Sequence, residues 1–154
     1  MAERPSLDVW LREAKEDPGA KDCGMFLFHN GVVRQSAKAA VRGGAAGCGM
    51  YLFHNGVVRE TAKAAVREGA EDTAPVRGMR FSYDAEKVEA ARSRALTMPG
   101  IRYARVWLAS GELKVGDDIM LVLVGGDIRP HVIDALQALV GEIKTRCVTE
   151  TEIF

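Results

Sequence analysis

The sequence has no excess of charge of either sign. Its 154 residues include 21 Lys and Arg residues and 21 Asp and Glu residues, so the formal net charge at pH 7 is zero. A net positive field attracts proteins to nucleic acids and to anionic membranes, and this chain lacks one. We therefore expect neither nucleic acid nor membrane as a partner, and any anion-binding site must be local.

The sequence also lacks a long apolar run. No segment approaches the roughly 20 apolar residues of a membrane-spanning helix. The first residues, MAERPSLDVWLREAKEDPG, contain no uninterrupted apolar stretch of the kind found in signal peptides. These absences predict a cytoplasmic protein, and the length suits a single domain over residues 1–154.

Cysteines are few, and the familiar catalytic motifs are missing. Cys23, Cys48 and Cys147 show no CxxC or CxxH spacing, which disfavours a disulfide framework and a zinc site. The chain has no GxSxG, HExxH, phosphate-binding-loop or GxGxxG motif, which removes the enzyme classes that these motifs mark. We expect reduced thiols, no metal and no bound cofactor.

What the chain does contain is a repeat of 25 residues. CGMFLFHNGVVRQSAKAAVRGGAAG begins at Cys23 and CGMYLFHNGVVRETAKAAVREGAED begins at Cys48, so the copies span residues 23–47 and 48–72. Nineteen of the 25 paired positions are identical, which indicates a tandem duplication, natural or engineered. Two copies are fewer than the roughly three stacked units of a solenoid, so they compete for one place in the fold.

The hydrophobic pattern alternates between helical and strand periodicity. Ser6 can cap a helix over LDVWLREAKED, Asp84 can cap a helix over AEKVEAARSRALTM, and a last helix begins near Pro130. Strands are predicted over residues 25–33, 50–58, 76–84, 101–110 and 118–126, the last buried on both faces, with GELKVGDD as a turn-rich link. Each repeat strand is followed by a short helix. This order is typical of an α+β fold with helices packed on a mainly antiparallel sheet.

One strand-to-helix junction, VGGDIRPH, suggests an anion site. The helix that starts around Arg129 presents free backbone N–H groups at its positive end, where a phosphate can bind. The alternative, which the residues by themselves favour, is a plain turn in which Gly125 and Gly126 satisfy the backbone geometry. Lys144 is about four helical turns beyond Arg129, so a site shared by the two cations needs a second protomer.

Other polar side chains have simpler interpretations. His29 and His54 precede Asn-Gly at the ends of apolar strands, where a half-buried or turn histidine is favoured over an acid or base near a pocket. A series of basic residues spaced four apart follows each strand and predicts a solvated face. The two series are Arg34, Lys38 and Arg42 in the first copy and Arg59, Lys63 and Arg67 in the second.

Taken together, HNGVVR, GELKVGDDIMLVLVGGDIRPH and EIKTR resemble the large, catalytic subunit of molybdopterin synthase, from about residue 49 to residue 146. The resemblance implies an α/β hammerhead-type fold and a homodimer that binds two copies of a small ubiquitin-like sulfur carrier. It also implies the reaction: two sulfurs from the carrier's C-terminal thiocarboxylate are added to cyclic pyranopterin monophosphate to form molybdopterin.

The resemblance assigns roles to individual residues. The family's strand-end arginine falls on Arg59, or on its repeat twin Arg34, and would bind the anionic substrate. The late-helix lysine falls on Lys144, which would assist sulfur transfer by stabilising an oxyanion or by shuttling a proton. Arg129, from a neighbouring protomer, would complete an anionic pocket, and His131 is close enough to contribute.

The sequence departs from the family pattern at two positions. Ile128 stands where the family has a histidine, and Thr151 stands where it has a second catalytic lysine. Glu150 and Glu152 flank Thr151 and would repel an anionic substrate. The alternative hypothesis is therefore a non-catalytic paralogue or duplication variant that keeps the fold and the dimer as a binding module.

The repeat leads to a prediction about strand order. If the first copy filled the family's strand position, MYLFHNGVV would lie in a connection of forty-odd residues, which is long for a compact domain and costly to expose. We therefore predict that the second copy fills that position. The first copy would become an added edge strand or cross to a partner subunit.

Overall fold

The computed structural model describes residues 3–34, 47–71 and 73–154. Its helices are α1 (Leu7–Glu16), α2 (Lys63–Arg67), α3 (Ala85–Leu96) and α4 (Arg129–Glu142). Its strands are β1 (Met25–Gly31), β2 (Met50–Val57), β3 (Gly78–Tyr83), β4 (Ile101–Leu108), β5 (Gly111–Lys114), β6 (Asp118–Gly126) and β7 (Val148–Ile153). A 3₁₀ turn, Pro18–Asp22, follows α1, and a π-helical turn, Ile143–Cys147, follows α4. The short helix predicted after the first repeat strand lies outside the described residues.

The strands form two antiparallel sheets. One has four strands in the order β1-β2-β6-β4, and the other has three strands in the order β5-β3-β7. All the described pairings are antiparallel, which confirms the α+β prediction of helices on an antiparallel sheet. The predicted caps are also present: Ser6 accepts from the Val9 N–H, and Asp84 accepts from the N–H groups of Glu86 and Lys87.

The core lies between α3, α4 and one face of the four-stranded sheet. The apolar side of α4 contributes Val132, Ala135 and Leu139, and β6 contributes Val122 and Val124, all of them buried. The prediction that this strand is buried on both faces was wrong for its other face. Side chains there, such as Leu121 and Leu123, are only half-buried, because α3 and α4 cover one side of the sheet.

Two strands differ from the sequence-based prediction. The link GELK is not a turn but β5, which pairs with β3 from Gly111 to Lys114. The C-terminal stretch VTETEI, for which no element was predicted, forms β7 on the other side of β3. Both are edge strands with charged side chains, and pairing with β3 outweighs their weak apolar pattern.

The prediction about the repeat is confirmed. The second copy supplies β2, which lies inside the four-stranded sheet between β1 and β6, and the first copy supplies β1 at the edge. Phe28 pairs with its own repeat equivalent, Phe53, and their rings meet edge to face with centroids 6.3 Å apart. The ladder is therefore the same when read from either strand, and a pseudo-two-fold axis passes between these two residues.

Candidate functional site

A cleft opens to solvent where the two sheets meet. Its apolar wall combines residues of β3 and β6: Met79, Phe81, Ile119 and Met120. Its polar lining consists of four cations and two carboxylates: Arg59, Lys63, Arg67, Lys144, Glu150 and Glu152. The cleft therefore brings together Arg59 and Lys144, the two residues that the resemblance assigns to substrate binding and catalysis.

Lys144 is positioned by the π-helical turn after α4. Buried Ile143 and Cys147 anchor the two ends of this turn, and Lys144 lines the cleft while part of its surface stays exposed. Burial, the largest cause, lowers the pKa of Lys144, and Glu150 acts in the opposite direction. Three neighbouring cations lower this pKa further by repulsion: Arg67, Lys63 and Arg59.

Arg59 follows the end of β2 and is held by backbone contacts. Its Nε donates to the Thr61 carbonyl at 3.0 Å. A Cβ on Gly24 would lie only 2.6 Å from Arg59 Nη1, so the absence of a side chain there leaves room for the guanidinium. Nη2 is buried and has no hydrogen-bond partner among the described residues. Arg59 also lines the cleft, where its guanidinium is suited to bind an anion.

Lys63 and Arg67, both on α2, line the cleft, and the prediction of a solvated face is correct for exposed Arg67 but not for half-buried Lys63. Lys63 Nζ lies 2.5 Å from Glu150 Oε1, whereas Arg67 stays exposed. The spacing of four is helical, as the sequence indicated. What the sequence did not show is that contacts of Lys63 with Glu150 and Glu152 hold the start of α2 beside β7, next to the cleft. Lys38 and Arg42 of the first copy lie outside the described residues.

Successive side chains of β7 point to opposite faces of the strand, so its acidic side chains lie on the face opposite Thr151. Glu150 and Glu152 line the cleft, and exposed Thr151 lies between them on the opposite face of the strand. Glu152 accepts the Lys63 backbone N–H with both oxygens, at 3.1 and 3.3 Å. The carboxylates that we expected to repel an anion are thus already engaged by Lys63.

The remaining predicted residues lie at the other end of β2. Arg34 lies next to Gly49, since a Cβ on Gly49 would be 3.0 Å from Arg34 Nη1. Gly49 itself lies just before β2, and its N–H donates to the Gly126 carbonyl. Arg129 is the exposed first residue of α4. At about 3.3 Å per residue, this end of β2 lies roughly 20 Å from the cleft. Within one chain, Arg34, Arg129 and His131 therefore do not join Lys144.

The junction before α4 has its own explanation. The buried Asp127 carboxylate accepts the Ile128 N–H at 2.6 Å and lies 2.7 Å from His131 Nδ1, so a negative charge already occupies this helix end. Neither Gly125 nor Gly126 has a positive φ. Gly125 instead makes room for the Tyr51 ring, which a Cβ there would approach to 2.6 Å. These contacts favour the plain-turn interpretation.

His54 is a buried group to which the sequence gave little weight. It is 3% exposed, and its Nδ1 has no partner in the described part of the chain. Burial, and then the charge of Lys144, lower the pKa of His54 from 6.5 to about 4. The imidazole is therefore neutral at pH 7. A Cβ on Gly56, which lines the cleft, would lie 3.4 Å from the His54 ring, so His54 lies next to the cleft.

Two further observations concern cofactors and membranes. Over the described ranges, no group of three or more His, Cys, Asp or Glu side chains could hold a metal ion, and the three cysteines are free. No described helix has both the length and the apolar character to cross a bilayer.

Comparisons with known proteins concern the family and the fold of the chain. The family model described as MoaE protein matches residues 35–146, which include β2 but not β1. A molybdopterin synthase from Staphylococcus aureus is similar in structure, with a TM-score of 0.58 and 16% identity over 82% of this chain and 90% of that chain. A molybdopterin biosynthesis MoaE protein from Burkholderia ambifaria has a TM-score of 0.48 and 13% identity over 99% and 84% of the two chains. No curated protein matches the chain.

Proposed function

This chain belongs to the MoaE protein family, and from that premise we propose that its cleft catalyses sulfur transfer to cyclic pyranopterin monophosphate. The family functions in molybdenum cofactor biosynthesis as the large subunit that partners a small sulfur-carrier subunit. The observation that carries the proposal is that Arg59 and Lys144, which are 85 residues apart, line the same cleft.

The proposed chemistry uses groups of the cleft. In each transfer the sulfur of the carrier's thiocarboxylate forms a carbon–sulfur bond to the substrate, while a carbon–oxygen bond at that substrate carbon breaks and its oxygen leaves. Water then cleaves the bond between the sulfur and the carrier's carbonyl carbon, which leaves the carrier as a carboxylate and the sulfur on the substrate. Lys144 would stabilise the oxyanion that develops on the carrier's carbonyl. Its lowered pKa would also make its ammonium a better proton donor. Arg59 would hold the substrate phosphate with its guanidinium group.

A second protomer is part of the proposal. Arg129 is exposed and lies roughly four helical turns from Lys144, so Arg129 can reach a Lys144 site only from another chain. We propose a homodimer in which each cleft receives Arg129, with His131 beside it, from the partner. The proposal places this assembly in the cytoplasm, where three free thiols are expected to remain reduced.

The test is an assay that combines the chain, a thiocarboxylated carrier and cyclic pyranopterin monophosphate, with molybdopterin as the product. We expect Lys144→Ala to abolish conversion, because the charge that meets the oxyanion is removed. The melting temperature should change little, because a partly exposed lysine contributes little to stability. Normal turnover by this variant would contradict the proposed role of Lys144.

A non-catalytic binding module is the second candidate. It is favoured by Ile128 and Thr151, which replace two chemical groups of the family, and by the ion pair of Glu150 with Lys63 inside the cleft. The same assay separates the two functions. A chain that binds the carrier and the pterin but forms no product would be a binding module.

A further inference from the structure

The cleft contains a lysine to which the resemblance assigns no role. Lys63 forms a 2.5 Å ion pair with Glu150, and the two side chains are only 27% and 22% exposed. Partial burial reduces the screening of this pair by salt and solvent. The pair is nevertheless part of the cleft lining, so a ligand that enters the cleft meets both charges.

The backbone of Lys63 is fixed, whereas its side chain is long and flexible. Its N–H donates to Glu152, and the preceding Ala62 is buried at 2% exposure. The four-carbon stem of a lysine can rotate its ammonium without moving the Cα. Lys63 can therefore exchange one acceptor for another inside the cleft while α2 stays in place.

The charges of the cleft favour such an exchange. Its four cations exceed its two carboxylates by two, so an entering anion is attracted. The anion would compete with Glu150 for the Lys63 ammonium, and a phosphate oxygen is at least as good an acceptor as a carboxylate oxygen. Arg59 and Lys144 line the same space and would retain the anion there.

We infer that Lys63 is a substrate-binding residue, which Glu150 holds in the free protein and which moves to the phosphate of the pterin when the substrate enters. This inference rests on the proposed function and adds to it a contact made by α2. Glu150 then acts as a competitor that weakens the binding of the anion.

The experiment is a calorimetric titration of the full chain with cyclic pyranopterin monophosphate. We expect Lys63→Met to raise the Kd about 10- to 100-fold, as expected when a charge-assisted hydrogen bond is lost. Lys63→Arg should recover most of the affinity, because it keeps the positive charge. The matched control is Lys21→Met, which removes a lysine that is ion-paired with Glu60 outside the cleft and should leave the Kd unchanged.

A double-mutant cycle distinguishes direct contact from a long-range field. Glu150→Gln should lower the Kd in the native background, and this gain should largely disappear when Lys63→Met is also present. An equal gain in both backgrounds would overturn the inference. If Lys63→Met alone fails to fold because Glu150 is left unpaired, the double variant lacks both charges and can be compared directly with Glu150→Gln.

The outcome also separates this inference from the proposed function. A native chain that forms product, together with Lys63→Met binding as tightly as the native chain, overturns the inference alone. A native chain that neither binds nor converts the pterin overturns the proposed function, and the role of Lys63 with it.

Discussion

His54 makes the stability of the fold depend on pH. Its pKa is about 4 in the folded chain against an ordinary value of 6.5, so between these values the unfolded chain binds a proton that the folded chain does not. The contribution of neutral His54 to the free energy of unfolding is therefore fully present above pH 6.5. It is lost as the pH falls toward 4, by up to about 3 kcal/mol. Urea unfolding from pH 8 to pH 4.5 measures this loss.

The variant His54→Leu should flatten that part of the curve and leave the stability at pH 8 unchanged or higher. It removes both the titrating group and an Nδ1 that is buried without a described partner. The repeat provides the matched control, since His29→Leu changes the equivalent, exposed histidine and should preserve the pH dependence of the native chain. Identical curves for the native chain and His54→Leu would contradict the role of His54.

The repeat also explains which site residues could be predicted from sequence. Arg59 and Lys144 could be assigned because their neighbours in the chain match a family pattern. His54 and Lys63 could not, because their local sequences are nearly the same as those around His29 and Lys38. Only the position of β2 inside the sheet buries His54 and turns Lys63 toward the cleft.

At the scale of elements, the two copies of the repeat test how much the burial of a strand contributes to the free energy of unfolding. Leu52 is 3% exposed and Leu27, its repeat equivalent, is 52% exposed, because α4 packs over β2 and not over β1. We expect Leu52→Ala to lower the free energy of unfolding by about 2–5 kcal/mol. Leu27→Ala should change it by less than about 0.5 kcal/mol. Denaturant unfolding checks both, and comparable losses would mean that β1 is buried more deeply than described.

Local pattern predicted some elements well and others poorly. The positions of α3, α4 and β6 follow from the Asp84 cap, from Pro130 in the first turn of α4 and from apolar periodicity, which are properties of the segment itself. In contrast, β5 has only four residues and β7 alternates charges with threonines, so each depends on hydrogen bonds to β3. Such pairing is long-range, and no single segment reveals it.

At the scale of the whole molecule, the assembly determines whether each cleft is complete. If Arg129 of one chain completes the cleft that contains Lys144 of another, mixing inactive Lys144→Ala chains with inactive Arg129→Ala chains should restore activity. Half of a random mixture is heterodimer with one intact site of two, so about a quarter of the native activity is expected. The product assay measures it after the subunits have exchanged. No recovery, in a mixture shown to contain heterodimers, would exclude a site shared between protomers.

The symmetric ladder of β1 and β2 also affects how two chains can associate. Two chains have identical strands, so β1 of one chain could pair with β2 of another in the register centred on Phe28 and Phe53 and keep every ladder hydrogen bond. Closed monomers and domain-swapped dimers would then differ only in the connection from Gly31 to Met50 and in protein concentration. The duplicated strand β1, which pairs with β2 at the edge of its own sheet, is thus also a strand that two chains could exchange.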